Sequence, residues 1–170
     1  MVHILNLPYH GPAPEVRPIG AAPAGAVVQS STLPHLVDLA ERVDRFVGIP
    51  YDARHMDCAD LAILVQRELF GRDVMLAGKR PRPMRGDEQA QAIRAYTAQL
   101  ANSVINPVDG DAVLMREIGT SAAGHIGTYF FLNFTPYVLH TTALLGGSVL
   151  HRVRDLSAYG LTLEGYYRWK

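Results

Sequence analysis

Apolar residues recur at helical spacing twice in the first half of the chain, then give way to short β-branched and aromatic runs. From Pro34 to Val47 the stripe is Leu36, Val37, Ala40, Val43, Phe46 and Val47, which predicts a core-packing helix stopped at Gly48. A second stripe, Leu61, Leu64, Val65 and Leu69, predicts a helix that begins at Asp57-Cys58 and ends at Gly71. Good helix formers from Asp87 to about Asn102 predict a third. After Asn106-Pro107 the texture predicts strands at Ala112–Arg116, His125–Leu132, Tyr137–Thr142, Val149–Val153 and Gly165–Trp169. Asn133-Phe134-Thr135-Pro136 reads as the hairpin between the second and third. Helices followed by a run of strands indicate an α+β class, with the Cys58 helix packed on a mostly antiparallel sheet of about five strands.

Ahead of these elements, residues 1–33 carry Pro8, Pro12, Pro14, Pro18 and Pro23 among Gly and Ala, which predicts an extended arm before a single domain over 34–170. The 170 residues are 48% hydrophobic, enough for one sizeable core. Sixteen basic residues balance sixteen acidic ones, so no overall field favours nucleic acid or an anionic membrane. The basic run Lys79–Arg85, interrupted by Pro81 and Pro83, reads as a solvated loop. No stretch approaches the roughly 20 apolar residues of a membrane span. The opening residues lack a charged leader and a long apolar run, so the expectation is cytosolic synthesis without a signal peptide.

One cysteine excludes an internal disulfide and a multi-thiolate zinc site. At the first helical position, behind an Asp57 N-cap, the thiol of Cys58 faces the positive end of the helix dipole. The unpaired amides of that helix start can also face an oxyanion. A nucleophilic thiol needs a base, and the base a group that holds it. His3, His10, His35 and His55 fall in the arm, early in the first helix or in a loop, and read as exposed. His125 opens a strand and His140 lies in the strand paired with it, so a Cys58–His125–His140 line is the candidate, with His151 as the alternative third member. A Cys-His-His zinc site is disfavoured because no close pair such as His-x3-His anchors a metal.

The order of segments is informative. Gly48-Ile49-Pro50-Tyr51 precedes Asp57-Cys58; Gly110-Asp111-Ala112-Val113-Leu114-Met115 starts the sheet; His125-Ile126-Gly127-Thr128-Tyr129 and Leu139-His140 follow; Leu163-Glu164-Gly165-Tyr166-Tyr167-Arg168-Trp169 ends the chain. This set resembles the NlpC-type cell-wall peptidases, papain-like cysteine hydrolases that cut peptide stems of bacterial peptidoglycan. The final strand is similar to that of phage-associated members. The resemblance implies a papain-like fold with Cys58 as nucleophile, His125 as base and His140 as its orienting residue. It also places Tyr51 and Asp57 near the substrate or the oxyanion. It implies no metal or organic cofactor, peptidoglycan stem peptides as substrate, and phage tail proteins as partners. Delivery would then be by a tail or another machine. The chain departs from the family at Cys58-Ala59-Asp60, where Cys-Ser-Gly is common, and lacks the Gly-Gly often found between the tyrosine and cysteine motifs. A structural tail module on the same scaffold is the rival expectation, and an acyltransferase a third.

Overall fold

In the computed structural model, residues 33–75 and 86–170 are described. The proline-rich arm and the basic run Lys79–Arg85 lie outside the described residues. Helix α1 spans Leu33–Asp44, α2 Cys58–Phe70 and α3 Gly86–Leu100. Six strands follow: β1 Ala101–Val104, β2 Ala112–Glu117, β3 His125–Leu132, β4 Thr135–Thr141, β5 Ser148–Arg152 and β6 Leu161–Trp169. A 3-10 helix, Val153–Tyr159, joins the last two. The class is α+β, and the strands form one antiparallel sheet in the order β1-β6-β2-β3-β4-β5.

The sheet has six strands where five were expected, because the third helix stops two residues early. Asn102 and Ser103 lie in β1, opposite Arg168 and Tyr167 of β6. Neither has strong strand propensity, and the pairing comes from the free edge that β6 offers. The hairpin between β3 and β4 is also tighter than expected. Asn133 and Phe134 alone form its turn, both at positive φ as a two-residue hairpin requires, and Thr135 already pairs with Leu132.

Strand alternation divides the core into two faces. Phe130, Leu132 and Leu139 turn toward the helices and pack with Val43 and Phe46 of the first helical segment and Leu61 and Val65 of α2. Val113, Met115, Tyr129 and Val138 turn the other way, where Leu156 of the 3-10 helix and Leu161 cover them. Two bonds fix α2 along its length. Gly71, at φ 62°, ends it by donating to Gln66 O, and the buried Gln66 amide donates to Gly110 O at 2.8 Å. Asp111, 1% exposed, accepts from Val108 N and from Arg168 at 2.9 Å, so Gly110-Asp111 anchors the start of β2 to the end of β6.

Gly127 gains a definite reason here. It sits opposite Val113 in an unbroken register, so it marks no bulge. A Cβ there would lie 2.5 Å from Val138 Cγ1 and 2.9 Å from Leu139 O. The crowding falls first on β4 and then, at 3.1 Å, on Met115 Cε of β2. Gly127→Ala is expected to destabilise the fold by about 1–3 kcal/mol through overpacking, measurable as a lowered urea midpoint with an unchanged m-value.

Candidate functional site

Helix α2 begins where Asp57 caps it. Asp57 Oδ1 accepts from the amides of Ala59 (2.9 Å) and Asp60 (3.0 Å), and Asp60 Oδ2 accepts in return from Asp57 N at 3.2 Å. The reciprocal pair is a capping box closed by aspartate. Leu61 N already donates to Asp57 O. Of the helix-start amides expected to face an oxyanion, those of Ala59, Asp60 and Leu61 are therefore committed to Asp57. Cys58 itself is 5% exposed and packs among Ala59, Ala62, Ala112, Leu114, Ala123 and Ile126.

The loop before the helix is tied to the β4–β5 connection. Tyr51 N donates to Gly146 O at 3.0 Å, Pro50 bridges Gly147, and Ser148 Oγ both donates to Phe46 O and accepts from Ile49 N. Burial, then the neighbouring Cys58 and Asp57, push the Tyr51 phenol above its ordinary range. That ordering places the phenol within electrostatic reach of the thiol and keeps its O–H as a donor.

On β3 and β4 the register gathers the imidazoles. His125 lies directly opposite Met115, and His151 of β5 opposite Val138, so both rings share the face covered by the 3-10 helix. His140, between them on β4, is 0% exposed. His125 Nε2 lies 2.9 Å from His140 Nδ1, and His140 Nε2 lies 3.1 Å from His151 Nδ1. His151 then stacks on Tyr159 at 3.7 Å between ring centroids, 13° from parallel. His140 and His151, alternatives for the third residue in the sequence, both lie in this hydrogen-bonded row.

The expected Cys58–His125–His140 line is thus realised in its imidazole half. Cys58 reaches β3 from the α2 side at Ile126, and His125 is one residue earlier on the opposite face, at the strand's first position. His125 is hydrogen-bonded to His140. His55 is exposed and pairs with Asp52 at 2.9 Å, away from this row. The contacts of the row also bear on metal binding. Facing nitrogens 2.9 and 3.1 Å apart leave no room for an ion between rings, and among the described residues no group of three ligand side chains is arranged to hold one. No helix among them is long and apolar enough to cross a membrane.

No protein-family model matches this chain, and no match was found among curated proteins or solved structures.

Burial depresses all three imidazoles. His125 falls from 6.5 to about 4. His140 is lowered further by burial and then by its two neighbours, and His151 is lowered by burial with partial compensation from Asp155. Neutral rings in the fold and protonatable rings in the unfolded chain give a definite sign. Above about pH 6.5 both states carry neutral rings and stability is full; as pH falls toward 4 the unfolded chain takes up protons first and stability is lost. His125 alone accounts for about 3 kcal/mol over that window. Melting temperature followed from pH 8 to pH 4 should drop below about 6.5, and His140→Leu should flatten the drop.

Proposed function

We propose that the protein is a papain-like cysteine peptidase that hydrolyses amide bonds in peptidoglycan stem peptides. The observation that carries this is the His125–His140 hydrogen bond, which engages Nε2 of a buried, neutral imidazole and not its Nδ1, next in sequence to the residue that packs on a helix-start thiol. The reaction class follows from these groups, and the substrate from the sequence resemblance.

In the reaction His125 Nδ1 takes the Cys58 proton, and the thiolate attacks the carbonyl carbon. This step requires an Sγ–Nδ1 contact at the first position of β3, and catalytic hydrogen bonds are often long or poorly aligned before substrate binds. The Cys58 amide and the Tyr51 hydroxyl donate to the tetrahedral oxyanion. Collapse breaks the C–N bond, and the leaving amine takes the proton from His125. Water, deprotonated by the same ring, then releases the acyl group and restores the thiol. Asp57 holds the helix start, so its contribution to substrate amine binding is secondary to its cap. Tail-associated use or delivery by another machine fits the resemblance of the final strand to phage-associated members.

Cys58→Ala should abolish release of stem-peptide fragments by purified protein, read by mass spectrometry; appreciable residual cleavage would sink the mechanism. His125→Ala should be comparably severe. His140→Ala should lose roughly 10- to 100-fold less, as orienting groups do relative to the reacting pair. A second reading, a non-catalytic tail module, is favoured by the burial of Cys58, 5% exposed in an apolar cluster as an inert core thiol would be. Iodoacetamide separates the two. Rapid alkylation of Cys58 at neutral pH that depends on His125 supports the enzyme; slow reaction confined to high pH supports the module.

A further inference from the structure

We propose that His151 is a positioning residue that sets the tautomer of the base two rings away, by accepting a hydrogen bond from His140. This rests on His125 acting as the base. A neutral imidazole carries one N–H, so two hydrogen bonds through three rings must run in the same direction. For His125 to receive the thiol proton, its Nδ1 must be bare and its Nε2–H must donate to His140 Nδ1. His140 then holds its only proton on Nε2 and gives it to His151 Nδ1. His151 ends the row with its own proton on Nε2.

Reversal is the alternative. If His151 offers a proton at Nδ1 in place of a lone pair, His140 must accept at Nε2 and donate from Nδ1. His125 then accepts at Nε2 and carries its proton on Nδ1, the nitrogen that should be empty. His140 is completely buried, so it has no water with which to satisfy a mismatched nitrogen. The choice is therefore made at the outer end, where His151 is only partly buried. Its ring is held there by Tyr159, stacked at 3.7 Å, and tilted 59° from His140 at 5.1 Å. The titratable and charged groups around it are His140, Tyr159 and Asp155, the last paired with Arg154 at 3.6 Å. Protonating His151 places a donor at Nδ1 and reverses the row, so the outer ring also works as an acid-side off-switch.

The test uses the full chain and two variants. His151→Phe keeps an aromatic ring against Tyr159 and removes the acceptor; His151→Gln retains an acceptor in its side-chain carbonyl. Nitrogen-15 spectra of the imidazoles at neutral pH should show the Nε2–H form for all three rings in the parent protein. In His151→Phe they should show His125 moved to Nδ1–H. Alkylation of Cys58 by iodoacetamide should slow about tenfold or more in His151→Phe and recover in His151→Gln with a shifted acid limb. Turnover of the peptide fragment should fall in kcat with KM unchanged.

A parent protein whose His140 carries its proton on Nδ1 would overturn the proposal without any variant. So would a His151→Phe protein in which His125 remains Nε2–H and the alkylation rate is unchanged while His140→Phe slows it. If alkylation is indifferent to His125→Ala, the assignment of the base itself fails, an outcome separable from failure at His151 because the spectra report tautomers whether or not the thiol is activated.

Discussion

Packing of Leu61 and Val65 against Phe130 and Leu139 is the constraint on which the site depends. It presses α2 onto β3 and β4, and Gln66 pins the same helix to the start of β2. With the helix axis fixed at these points, the position of its first residue is no longer adjustable. Cys58 lands against Ala112, Leu114 and Ile126 because the turns behind it are already placed. A large-to-small change at the fully buried Phe130 would cost about 3–5 kcal/mol and would loosen the thiol's position together with the core.

The imidazole row on the opposite face of the same strands spends stability where the apolar residues beside it supply it. Three imidazoles occupy positions where aliphatic side chains would pack without any proton equilibrium, and the fold holds them neutral. Hydrogen bonding along the row offsets the burial of their nitrogens only while each donor meets an acceptor. Such a row is an unusual use of core volume. A core selected for packing alone would not need two successive imidazole bonds leading from the first residue of β3 to the protein's surface.

Much of this was legible along the chain. The apolar stripe and Gly71 located α2 closely, since a helix that packs on a sheet must repeat at helical spacing and a left-handed end favours glycine. That His125 and His140 lie on paired strands was legible from the hairpin, but the face each ring takes was not. Other features depended on register and pairing, which local composition does not encode. Strand β1 comes from the edge of β6, contributed by residues more than sixty positions away. The series His140–His151 needed the β4–β5 register, in which Val138 meets His151. The alternation that puts Ile126 and His125 on opposite faces was implicit in the strand, but its meaning required knowing which face α2 covers.

The departure at Ala59-Asp60 can be understood from the same geometry. Asp60 closes the capping box by accepting from Asp57 N, and Ala59 packs into the apolar cluster around Cys58, so both residues have structural employment. A serine and glycine at these positions would leave the helix start with one cap bond fewer and a hydroxyl to satisfy. The chain therefore gains a firmer helix start and gives up a polar group beside the thiol. On the proposed peptidase reading, substrate recognition would draw more heavily on the other wall, the Pro50-Tyr51 segment bound to Gly146 and Gly147. That segment belongs to the loop before α2 yet is hydrogen-bonded to the connection between the two strands that carry His140 and His151. Ser148 braces the same loop from the start of β5, accepting from Ile49 N and donating to Phe46 O, so the wall beside the thiol and the outer end of the imidazole row share one strand.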